Sequence, residues 1–92
     1  MIVRILSEGQ FRIESAHLDE LNSLDNQVVK AVAEGNEAGF RTSLTKMIAL
    51  VRHWGTAVPM EELIASDVVL PTEDISLEEA RSMFAGEGVI PG

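Results

Sequence analysis

The stretch LDELNSLDNQVVKAVAEGNEAGFRTSLTKMIALVRHW, Leu18 to Trp54, decides the fold. It divides at Gly35-Asn36 into two amphipathic helices. In the first, Leu18, Leu21, Leu24, Val28, Val29 and Val32 fall in one arc at 100° per residue, while Glu20, Lys30 and Glu34 lie outside it. Gly35 suits a left-handed helix stop because it lacks a Cβ, and Asn36 is placed to cap the second helix. There Phe40, Leu44, Met47, Ile48, Val51 and Trp54 share a face, and Gly55 reads as the stop. Each helix is about 18 residues, or roughly 27 Å long. So short a connection makes them antiparallel neighbours.

The flanking segments supply a small sheet. Ile2-Val-Arg-Ile-Leu6 is rich in β-formers, Ser7-Glu-Gly-Gln10 contains a turn glycine, and Phe11-Arg-Ile-Glu14 alternates apolar with charged. A β-hairpin follows, with Phe11 and Ile13 toward the helix pair and Arg12 and Glu14 toward water. Ser15 is placed to cap the first helix. After Gly55, Thr56-Ala-Val-Pro59 reads as extended and Met60 to Ala65 as a helical turn. Asp67-Val-Val-Leu-Pro71 is a third strand, which Pro71 ends. Ser76-Leu-Glu-Glu79 is a capping box that opens a short helix to Ala85, burying Leu77, Ala80 and Phe84, with Gly86 as its stop. In the tail, Val89 and Ile90 are the residues able to dock. The expected class is α+β, a single domain over residues 1–92: an N-terminal hairpin plus a short third strand, packed on an antiparallel helical hairpin, with a short C-terminal helix.

Composition narrows the function classes. There is no Cys, so neither a disulfide framework nor a thiolate metal site is expected. Met1-Ile-Val-Arg4 has no basic segment followed by an apolar one, and the longest apolar run, Met47 to Val51, is far short of a membrane span. A cytoplasmic protein without direct membrane insertion is the expectation. Residues 1–55 carry seven acids and six bases, whereas residues 56–92 carry eight acids and Arg81 alone, within a net charge of −8. Such a C-terminal third repels phosphates and disfavours nucleic-acid binding, and it attracts basic protein surfaces.

Chemistry-bearing constellations are sparse. His17 with Asp19 and Glu20 has no second His four residues on, and His53 suits a helix C-terminus as a cation. No Ser lies in a nucleophile elbow, and the acid pairs Glu61-Glu62, Glu73-Asp74 and Glu78-Glu79 are sequence neighbours that do not face each other on a helix. No catalytic, cofactor-binding or metal-ligating residue is assigned. Asp25 is the candidate buried polar residue, because it falls inside the apolar arc of the first helix. It either meets a cation, for which Arg4, Lys46 and Arg52 are the candidates, or caps a bend marked by Ser23 and Asn26. Trp54, beside Arg52 and His53, is either a core plug or an interface anchor.

The opening Met1-Ile-Val-Arg-Ile-Leu-Ser-Glu-Gly-Gln10, then Leu18-Asp-Glu-Leu-Asn22 with Leu24-Asp25, Leu50-Val-Arg-His-Trp-Gly-Thr56, Ser66-Asp-Val-Val-Leu-Pro71, Ser76-Leu-Glu-Glu-Ala-Arg81 and the closing Gly88-Val-Ile-Pro-Gly92 carry a resemblance. From end to end the chain resembles PspAA, the family of small PspA-associated proteins. The resemblance implies a cytoplasmic companion of PspA, the coiled-coil protein that assembles on stressed bacterial and archaeal inner membranes. It implies an envelope-stress role exercised by protein contact, and it carries no catalytic motif. Two candidate contact surfaces follow: an edge with Arg41, Arg52 and Trp54, and the acidic segment with Glu61, Glu62, Asp67, Glu73 and Asp74. The alternative is a self-associating structural or regulatory homodimer, and behind it a small hydrolase or metal enzyme using His17 and His53.

Overall fold

The computed structural model describes residues 1–6, 8–62 and 64–84. Strands β1 (Ile2–Ile5) and β2 (Gly9–Arg12) lead through a 3-10 turn (Ser15–His17) into helices α1 (Leu18–Glu34) and α2 (Glu37–Trp54). Strands β3 (Thr56–Ala57) and β4 (Val68–Leu70) follow, then α3 (Leu77–Met83). The strands form one mixed sheet in the order β3-β2-β1-β4, with β4 parallel to β1 and the other neighbours antiparallel. This is the α+β architecture that the helix pair and its flanking strands predict.

The helix connection is made as the residue types require. Gly35 takes φ 67°, and its N–H reaches back to the Ala31 and Val32 carbonyls. One residue on, the Asn36 side chain accepts from the Gly39 N–H at 3.0 Å. Leu21, Leu24, Val28 and Val32 of α1 meet Phe40, Leu44, Met47, Ile48 and Val51 of α2 in one core. Val3, Ile5, Ile13, Val68 and Leu70 close that core from the sheet, and Ala80 and Phe84 close it from α3.

Long-range hydrogen bonds pin β4. The Ile2 N–H donates to the Asp67 carboxylate at 2.8 Å, and the Asp67 N–H returns a bond to the Ile2 carbonyl at 2.8 Å. At the other end the Leu6 N–H donates to the Leu70 carbonyl at 3.0 Å. Pro71, with no N–H, follows the strand directly.

Some local expectations are corrected. Ser15 caps nothing; α1 begins at Leu18 with no side-chain cap, because the 3-10 turn, closed by the His17 N–H on the Glu14 carbonyl, feeds straight into it. Thr56 and Ala57 are not merely extended but pair with Arg12 and Phe11, adding a fourth strand. The outer sheet face is not simply wet. The segment after β3 is tied to it, with Gln10 Nε2 donating to the Ile64 carbonyl at 2.7 Å and to Ser66 Oγ at 2.8 Å. Met60–Glu62 make one turn, closed by the Glu62 N–H on the Pro59 carbonyl. Trp54 is 49% exposed and so does not plug the core, whereas Leu50, outside the predicted stripe, is buried. The expectations for Ala85, Gly86, Val89 and Ile90 lie outside the described residues.

The capping box at α3 is fully formed. The Glu79 N–H donates to Ser76 Oγ at 3.1 Å, and the Ser76 N–H donates to the Glu79 carboxylate at 3.3 Å. Ser76→Ala is expected to lower stability by about 1 kcal/mol, read as a shift in the urea midpoint at unchanged slope. Since α3 buries Ala80 and packs on α1, the loss reaches the global transition rather than fraying alone.

Candidate functional site

The acidic segment and the arginine edge meet at one junction. Arg41 leaves α2 half-buried and donates through Nη1 to the Glu73 carbonyl and through Nη2 to the Ile75 carbonyl, the latter at 2.7 Å. Its guanidinium also lies 5.3 Å from the centre of the Phe40 ring, a cation–π distance. Three turns along α2, Arg52 grips the Glu8 carboxylate through Nε at 2.8 and 3.0 Å and pairs with Glu73 through Nη1. Arg41, Arg52 and Glu73 therefore join the β1–β2 turn and the 73–75 loop to α2. The hydrogen bond from Arg52 holds the Glu8 carboxyl below its ordinary value of 4.5, and in return Glu8, with Glu73, raises the Arg52 guanidinium. Asp74 is also lowered, first by the Thr72 hydroxyl, then by its own backbone N–H, and lastly by the charge of Arg41.

These depressed carboxyls set a sign. A carboxyl lowered in the folded state adds stability above its unfolded value, and that stability is lost as pH falls through the folded value. Unfolding free energy is thus expected to hold level from pH 7 to about 5, to start falling below about 4.5 through Glu8, and to fall further below about 3.8 through Asp74. In Arg52→Ala the fall is shallower, because Glu8 then titrates near its ordinary value. Urea titrations at stepped pH check this. The pair is half-exposed and screened, so the change is modest.

The other candidates separate from this junction. Asp67 is occupied by the Ile2 backbone at the head of β4. Glu62 lies 3.7 Å from Arg12 Nη2, beside the outer sheet face, and Glu61 next to it is exposed. Asp25 is 1% exposed within an α1 that runs unbroken from Leu18 to Glu34, so no second helix cap forms at Ser23–Asn26.

Trp54 stands at the far end of α2 from Arg41. The His17 ring stacks on it with centroids 4.3 Å apart and 19° between planes, and His53 meets it edge-on at 4.6 Å and 82°. An open groove of about 310 Å³ runs beside it, lined by Glu20 and Leu24 of α1 and by Lys46, Ala49, Leu50, His53 and Trp54 of α2. Sequence reasoning left the groove unmarked. The signal was present, since Lys46, Leu50, His53 and Trp54 follow helical i, i+4, i+7 and i+8 spacing. Of the two histidines only His53 lines the groove with Glu20; His17 meets it through the Trp54 ring. Among the described residues no three of His, Asp and Glu gather to hold a metal ion. A second cavity, about 520 Å³, lies on the outer sheet face between Arg4, Leu6, Gln10, Val58 and Met60.

A family model of PspA-associated proteins matches residues 1–92, the whole chain. The chain belongs to the PspA-associated (PspAA) family. No curated protein and no solved structure matches it. For a PspAA protein, the geometry offers two exposed apolar areas: the groove at Trp54, and the outer sheet face, where Leu6 is 56%, Met60 95% and Val69 37% exposed. No helix among the described residues is long and apolar enough to cross a membrane.

Proposed function

We propose that this PspAA chain is a non-enzymatic interaction module that acts with a PspA-like coiled-coil protein in the response to membrane and envelope stress. The observation that carries it is the family match over the full 92 residues. In this reading the module works in the cytoplasm and reaches the inner face of the membrane through its partner. The exposed acidic side chains of the 61–79 segment supply the long-range attraction for a basic partner surface, and the half-exposed Trp54 supplies a contact anchor.

Co-expression with the PspA-type protein of the same organism tests it. The two are expected to elute as one complex at micromolar concentration, and the complex weakens as salt rises if the acidic segment steers association. Separate elution at both low and moderate salt overturns the proposal. A homodimer is the second reading, favoured by Leu6, Met60 and Val69, large apolar side chains exposed on the described surface. Light scattering across a concentration series decides it, and a constant monomer mass removes it.

A further inference from the structure

We infer that the groove between α1 and α2 at Trp54 is the docking site for one amphipathic helix of the coiled-coil partner. The inference rests on the partner proposed above and adds the surface, the anchor and the charge pattern of the bound helix.

The floor is apolar and already built. Leu24 and Leu50 are 8% and 6% exposed, and Ala49, which also lines the groove, is exposed and small. Trp54 forms the end wall. Its indole is fixed between two imidazoles yet leaves half its surface in water. A large aromatic that is both exposed and held in place loses little freedom on binding, which is the property of an interface anchor. From Lys46 to Trp54 the groove spans about 12 Å of helix, two turns, the repeat over which a helix presents one apolar stripe.

The lips differ in charge. Glu20 stands on the α1 side and Lys46 on the α2 side, and neither forms an ion pair with another described residue. A helix lying in the groove is complementary when its apolar stripe is flanked by a basic row against Glu20 and an acidic row against Lys46. Such flanking charges select partner and orientation in helix pairing. The outer sheet face fits a helix less well. There Gln10 is already bonded to Val58, Ile64 and Ser66, and Arg12 is engaged by Glu62.

Trp54 is the only Trp in the chain, so 5-fluorotryptophan labelling places a single fluorine resonance at the groove. The labelled protein is titrated with the unlabelled PspA-type coiled-coil protein of its organism, alongside co-elution. The resonance is expected to shift or broaden to completion at stoichiometric partner. Ala49→Glu, at an exposed position, is expected to weaken binding about tenfold or more, and Trp54→Ala about thirtyfold. Glu20→Lys and Lys46→Glu are expected to weaken it less, by a factor that shrinks as salt rises. Circular dichroism confirms that each variant folds. If the proteins co-elute while the resonance stays fixed and Ala49→Glu binds as wild type, the groove is overturned and the partner proposal stands. If Leu6→Ser with Met60→Ser then abolishes binding, the outer sheet face is the contact. If the unmodified proteins never co-elute, the partner proposal itself falls, and the groove with it.

Discussion

Phe40→Ala is expected to remove about 3–5 kcal/mol of folding free energy. The ring is 0% exposed and lies where α2, just after its Asn36 cap, enters the shared core. A folded chain of 92 residues holds only about 5–14 kcal/mol in all, so the variant stands at the edge of unfolding at room temperature. The loss has two parts, the transfer of the ring to water and the cavity that the rigid helix pair cannot close. A further effect is specific to this fold. Arg41 packs its guanidinium over the same ring while donating to the Glu73 and Ile75 carbonyls, so removing the ring also loosens the 73–75 loop. The urea midpoint should fall steeply at unchanged slope, and amide exchange in residues 73–76 should rise first. A loss under about 1 kcal/mol would contradict the placement of Phe40 in the core.

Gly55→Ala is the second large effect, expected at about 1–3 kcal/mol, and its cause is space rather than backbone angle. Gly55 has φ −79°, a conformation any residue adopts. A Cβ there would stand 2.3 Å from the Val51 carbonyl oxygen, 2.9 Å from Phe11 Cβ and 3.1 Å from Ile13 Cδ1. The first of these is helix backbone and cannot step aside. The end of α2 must shift, and with it the short β3, which pairs with Phe11 and Arg12. Gly35→Ala provides the contrast. Its Cβ has open space, with Arg81 Nη2 4.0 Å away, but its φ of 67° is left-handed and costs an alanine about 1 kcal/mol. Thermal melts of both, with the chemical shifts of Thr56 and Ala57, separate the causes. Gly55→Ala should disturb β3, and Gly35→Ala should leave it in place. An unperturbed Gly55→Ala would mean that α2 and β2 do not approach as described.

The candidate surface was legible only in part. Arg41, Arg52, Glu73 and Asp74 stood out as charges, and charge alone does not separate a residue that ties two elements together from one that waits for a partner. The difference lies in where the Glu73 and Ile75 carbonyls come to rest, 32 and 34 residues along the chain from Arg41. Likewise nothing local announced that His17, before the first helix, would stack on Trp54 at the end of the second. That contact exists because antiparallel helices of nearly equal length return the chain to its starting end.

The amino-acid order alone determined the two long helices, their Gly35–Asn36 joint, the β1–β2 hairpin, the strand ending at Pro71 and the Ser76–Glu79 cap. Each follows from side-chain period, glycine freedom or a cap within about four residues, forces that act along the chain. Tertiary structure decided that β4 runs parallel beside β1, that Thr56–Ala57 becomes a strand, that Asp67 and Arg41 serve the backbone, and that a groove opens at Trp54. Those outcomes depend on which surfaces meet when apolar faces leave water, and burial is non-directional, so the pattern states what is hidden without stating against what.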